Sequence, residues 1–172
     1  MSFSGVLKHC PLRWRLLGVL VDRLPTRDNL EKREIDFDNN ICVMCGEEEE
    51  KGNHVFFKCK VAWRVWCMCN AWIGVITTFH WDARVNFESF KLGWATPKIN
   101  RMWGCMWIAV VGEIWEKRNQ VIFKNDRVYC VEIFTLVQLK AWTWISSQEY
   151  SVAITYPQWC MDHKECLRSM SK

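Results

Sequence analysis

Apolar residues recur at helical spacing in four stretches of the chain. The first covers residues 12–23 and runs into "LPTRDNLEKREI", where Pro25 breaks the pattern and Thr26 can cap a second, short helix. Beyond Cys59, a helix is expected with Val61, Val65, Met68 and Trp72 on one face and Ala62, Trp66, Cys69 and Ile73 beside them. The clearest helix spans 99–121: Trp103, Trp107, Val111, Ile114 and Trp115 share one side, and Glu113, Glu116 and Lys117 are expected to face away. A last helix is predicted over 128–147, with Phe134, Val137, Ala141 and Trp144 as its stripe. Two regions carry no such pattern. Residues 74–98 join a β-like "VITTFHW" to a loop region ending at Pro97, and the C-terminal stretch reads as a tail. The fold class is therefore mainly α, with a small α+β arrangement left open by a possible short hairpin between the second and third helices.

That hairpin position holds the chain's most distinctive segment, "NNICVMCGEEEEKGNHVFFKCK" at 39–60. No apolar periodicity runs between 42 and 54, and Gly46 and Gly52 bracket four glutamates, which marks an exposed, turning stretch. Cys42, Cys45, His54 and Cys59 form the pattern C-x2-C-x8-H-x4-C. Two cysteines two residues apart wrap one ion in a tight knuckle, and the following loop returns a histidine and a third cysteine to complete a tetrahedron that suits Zn²⁺. Four protein donors leave no open position for a reactive water, so one structural zinc is the better reading than a hydrolytic one. Three thiolates and an imidazole around Zn²⁺ leave a net negative charge, to which Glu47 to Glu50 add, so the loop itself should repel phosphates.

Contacts to a nucleic acid are then expected elsewhere. The candidates are Arg23, Arg27 and Arg33 with Arg13, Arg15 and Lys32, or the cluster of Lys58, Lys60 and Arg64. Other metal sets fare worse: Cys67 and Cys69 point to nearly opposite sides of a helix, and Cys160, His163 and Cys166 supply only three donors.

Composition refines this picture. Half of the 172 residues are apolar, 12 are Trp and 10 are Cys, and the formal charge is +4. This loading favours a folded chain over a disordered one, and the mild positive charge permits an anionic partner without demanding one. The N-terminus lacks the uninterrupted apolar stretch of a secretory signal, so the thiols are expected to be reduced and the protein intracellular. The longest apolar run, "MWGCMWIAVVG" at 102–112, is well short of the ~20 residues a membrane span needs, which makes the protein soluble with no membrane partner.

The cluster and its surroundings together resemble the reverse transcriptase zinc-binding domain of non-LTR (LINE-type) retrotransposon polyproteins. "GVLVDRLPTRDNLEKREI" at 18–35 is similar to that family's approach to its zinc loop, and Cys42, Cys45, Glu50, His54, Phe56 and Cys59 fall on its loop positions. Trp63, Trp66 and Trp72 resemble its tryptophan-rich helix, and "IWEKRNQVIF" at 114–123 resembles a trailing W-x-x-RN segment. Lys51 departs from the family's usual serine without touching the donor set. The resemblance organises the chain as an N-terminal extension (1–11), the zinc-binding-like domain with its trailing Trp-rich helix (12–123) and a C-terminal helix and tail (124–172). It implies a detached fragment, since the family's polymerase aspartates have no counterpart here.

Two functions follow as expectations. One is a non-enzymatic, structural-zinc module that assists binding of RNA or DNA, with Glu50 orienting His54 from behind and Arg118 and Asn119 either contacting RNA or simply forming an exposed helix end. The other is a protein-interaction module whose Trp-rich helices at 60–73 and 101–118 offer an aromatic surface to a polymerase domain or another partner, because 12 tryptophans exceed what a small core readily buries. A relic without a present role stands behind both.

Overall fold

Capping signals in the sequence set the helix boundaries of the structure, a computed structural model that describes residues 18–74, 79–91, 93, 95–148 and 154–169. Half of the first predicted helix, residues 12–17, lies outside the described residues; of the rest, 18–20 are helical and the helix ends before residue 21. Helix α1 (Arg27–Glu31) begins directly after Thr26, at the predicted position, but the Thr26 hydroxyl donates to the Asp28 carboxylate at 2.5 Å and does not cap the helix. A π turn, His54–Lys58, leads into α2 (Lys60–Ile73), which stops at Gly74 in the left-handed conformation that glycine adopts without cost. Helix α3 (Ala83–Ser89) is capped by the Asp82 carboxylate, which accepts the Val85 N–H at 2.9 Å. Helix α4 (Pro97–Lys124) starts with Thr96 as cap and Pro97 at the first position, where its missing N–H is no loss. Helices α5 (Cys130–Gln148) and α6 (Tyr156–Ser169) complete the chain. Among the described residues no strand forms; a single antiparallel bridge, Ile41 with Glu49, stands where a hairpin was considered.

Helix α4 is the centre of the bundle. Trp103, Met106, Trp107, Val111, Ile114 and Trp115 are all buried, and α2, α5, α6 and the π turn pack around them. Because α5 covers its polar side as well, Glu113 and Lys117 do not face solvent as their pattern suggests. Both are buried and paired, Glu113 with Lys140 and Lys117 with Asp126 (2.9 Å) and Glu132 (2.7 Å). Charges removed from water need such partners. Helix α5 buries Ile133, Val137, Ala141 and Ile145, a stripe rotated slightly from the predicted one, with Phe134 and Trp144 half-buried.

Two expectations fail. The loop region before Pro97 contains α3, and the supposed tail forms α6, whose Trp159 and Leu167 are fully buried. The residues 75–78 of the β-like segment lie outside the described residues. No helix among the described residues is long and apolar enough to cross a membrane.

Candidate metal centre

Two local structures bring the four donors together. In the first, the chain from 40 to 50 folds back on itself: the Glu50 N–H donates to Asn40 (2.7 Å), Cys42 N–H to Glu48 (2.7 Å) and Gly46 N–H to the Cys42 carbonyl (2.8 Å). Gly46 holds φ 70, a left-handed position that lets the chain turn back directly after Cys45. The second is the π turn. In an α-helix two residues five apart point about 140° away from each other. The wider turn, closed by the Cys59 N–H on the His54 carbonyl at 2.7 Å, brings the H-x4-C pair round to one side. Between these ligands Val55, Phe56 and Phe57 are driven into the core, where Phe57 stacks on Trp66 at 6.2 Å and Phe56 meets Trp115 at 6.0 Å. Donors therefore face the knuckle and the intervening side chains face the bundle.

The donor atoms of Cys42, Cys45, His54 and Cys59 all lie within 4.8 Å of one another. Cys45 Sγ is 3.3 Å from His54 Nε2. Zinc–sulfur and zinc–nitrogen bonds of ordinary length set tetrahedral ligand separations of about 3.5–3.8 Å, so the set fits one zinc ion. Cys42, His54 and Cys59 are buried and Cys45 half-buried, which shields the centre from water. Crowding shows in the electrostatics. The Cys42 thiol is pushed up to about 12, first by its hydrogen bond with Cys59 and then by burial, and the His54 imidazole up to about 9, chiefly by its hydrogen bond with Cys42. The same bond from Cys42 lowers Cys59. Four donors sharing protons in this way are arranged for a cation that replaces those protons.

The carboxylate behind the histidine is Glu48, not Glu50. Glu48 Oε2 stands 3.1 Å from His54 Nδ1, which leaves Nε2 for the ion. Glu50 points inward from the knuckle instead and is completely buried. It accepts the Arg27 N–H at 3.0 Å and both arms of the Arg118 guanidinium, Nε at 3.3 Å and Nη2 more closely. Arg118 is buried too, lies over the Trp115 ring at 4.8 Å and donates to Asn119 at 3.0 Å. Arg118 is thus neither an exposed helix end nor an RNA contact; it ties α4 to the zinc loop across 68 positions of sequence. No local pattern could have announced that pairing.

The other glutamates are partnered as well, Glu47 with Lys60 and Glu49 with Lys51 at 2.7 Å. Their charge repels phosphates less than a bare acidic run would. Among the basic candidates, Arg27 is taken up by the fold, its Nη1 donating to the Asn39 and Ile41 carbonyls at 2.9 and 2.8 Å. Arg23 and Arg33 are exposed near α1, whereas Lys58, Lys60 and Arg64 are exposed together around the start of α2. Of the tryptophans in 60–73 and 101–118, Trp66, Trp103, Trp107 and Trp115 are core and Trp72 is half-buried. Only Trp63 is exposed, which leaves those helices little aromatic surface to offer. His163 sits buried in an aromatic cage with Trp72, Trp103 and Trp159, and among the described residues the only metal-competent cluster is the knuckle.

Residues 3–66 match the family described as zinc-binding in reverse transcriptase, a span that includes all four donors and ends within α2. No curated protein and no solved structure matches the chain. The match agrees with the reverse transcriptase zinc-binding reading taken from the LPT approach and the zinc loop, and a retrotransposon origin is consistent with it.

Proposed function

We propose that the protein is a non-enzymatic accessory module, derived from the reverse transcriptase of a LINE-type retrotransposon, that binds nucleic acid on a surface held in place by one structural zinc. Cys42, Cys45, His54 and Cys59 would hold the ion, whose contribution is folding free energy, on the order of 10–16 kcal/mol of apparent binding for small structural sites. The observation that carries the reading is the position of the exposed cations. Lys58 and Lys60 flank the last ligand, Cys59, with Lys60 paired to Glu47 and Lys58 left open among the described residues, and Arg64 follows one turn later on α2. Fixing Cys59 therefore fixes the direction in which these side chains are presented, and phosphate contacts need that register.

Fluorescence anisotropy of labelled RNA and DNA oligonucleotides, titrated with zinc-loaded protein over a range of KCl, tests it. Affinity falling linearly in log–log form with salt is the expected result, because each phosphate contact releases a condensed counterion. Absence of binding to either nucleic acid at low salt would remove the reading.

A further inference from the structure

An open groove of about 550 Å³ separates α2 from the segment that leads into α5. Trp63, Arg64 and Met68 form one wall, and Val128, Tyr129 and Val131 the other. Trp63 is 43 % and Tyr129 56 % exposed at its two sides, and with Val131, 66 % exposed, they make a contiguous apolar lining of the kind that marks a binding groove. The Trp63 ring is held from behind: Phe79 meets it edge-on at 4.9 Å, and Trp81, itself 50 % exposed, lies 6.4 Å away. This bracing orients a face of the indole without covering it, so a ring that stacked there would lose little further side-chain freedom.

Charge points to the kind of ligand. No acidic side chain lines the groove, and Arg64 in its wall makes no ion pair among the described residues. Arg127, exposed beside Val128, adds a second cation on the far side. The nearby carboxylates are already matched, Asp126 and Glu132 with Lys117 and Glu47 with Lys60. Stacking faces flanked by cations suit unpaired bases on a phosphate backbone. A duplex hides its base faces and is too wide for a concave site between a helix and a loop.

We infer that this groove binds single-stranded nucleic acid, with a base stacked on Trp63, a second against Tyr129 and the intervening phosphate on Arg64. The inference rests on the proposed nucleic-acid function and supplies its strand preference and contact site. Its position downstream of the zinc ligands makes the metal a support for the surface rather than part of it.

Binding of a labelled oligo(dT) of roughly 12 nucleotides, within the site sizes of single-strand binders, is compared with a duplex of equal length. The zinc-loaded full chain and its Trp63→Ala, Trp63→Phe, Tyr129→Ala and Arg64→Ala variants are each checked for zinc content and circular dichroism. The single strand should bind at least tenfold more tightly than the duplex. Trp63→Ala should weaken it about 5- to 150-fold and Trp63→Phe much less, as loss of one stacked base demands. Arg64→Ala should lower the salt slope by about 0.7 and Trp63→Ala should leave it unchanged. Equal affinity for duplex, or wild-type binding by both Trp63→Ala and Tyr129→Ala, would overturn the groove assignment while leaving nucleic-acid binding in place. That result is also what a protein-binding groove would give. No binding of any oligonucleotide at low salt overturns both. Should Trp63→Ala fail to fold, Tyr129→Ala decides on affinity and Arg64→Ala on the salt slope, and wild-type values for both overturn the assignment.

Discussion

Two glutamates two residues apart do different work, and the difference can be measured. Glu48 meets His54 Nδ1 from an exposed position, so Glu48→Gln should weaken zinc binding toward the low end of the 10- to 100-fold expected for such partners, with little loss of fold. Glu50 is buried against Arg118, so Glu50→Gln should lower stability, by about 3–5 kcal/mol in urea unfolding of the zinc-loaded protein, because it strands a buried guanidinium. Adding Arg118→Met to Glu50→Gln should recover part of that loss; fully additive effects would mean the two side chains act separately. Gly46→Ala meets no atom within 4 Å and should cost only the left-handed backbone, about 1–2 kcal/mol. The donors were legible in the sequence because they lie close together along it, and their chemistry follows from residue type and spacing. Glu50's partner was not, since its side chain turns away from the knuckle toward a residue 68 positions on.

Helices with strong local signals emerged where the pattern placed them. Helix α2 keeps the predicted apolar face, and α4 begins at a Thr-Pro cap that its sequence displays. Helix α6 was hidden for a physical reason: its buried positions are Trp159, His163 and Leu167, so a polar residue type occupies the middle of a spacing-by-four stripe. Trp159 is fully buried and donates its indole N–H to the Gln138 carbonyl at 3.1 Å, so Trp159→Ala should cost about 3–5 kcal/mol and loosen α6 first, as hydrogen exchange would show. Burial holds the His163 imidazole below its usual 6.5. The unfolded chain then takes up the proton more readily than the folded one, and the stability lost lies below about pH 6.5. In zinc-saturated protein, the drop in urea midpoint on acidification from about pH 7.5 to about 5.5 should be smaller for His163→Phe than for wild type. An equal drop would show that this histidine does not report on packing.

Across the molecule, the knuckle and the bundle are one mechanical unit. Phe56 and Phe57 plug the π turn into the core, Trp66 donates to the Phe56 carbonyl at 2.9 Å, and the Glu50–Arg118 pair joins the loop to α4. This joining is where the separate readings of zinc loop and Trp-rich helices converge: Trp66, Trp107 and Trp115, three of the six tryptophans that suggested a sticky surface, instead form the socket that receives Phe56 and Phe57 of the metal loop. Loss of the ion should therefore propagate beyond residues 42–59 into the contact with α4. The most direct test is zinc content by elemental analysis on purified protein and on Cys42→Ser and His54→Ala, with circular dichroism melts alongside. One tightly held zinc per chain, absent from both variants together with lowered helicity and a less cooperative melt, is the expected result. A folded, cooperatively melting protein that carries no zinc would contradict it.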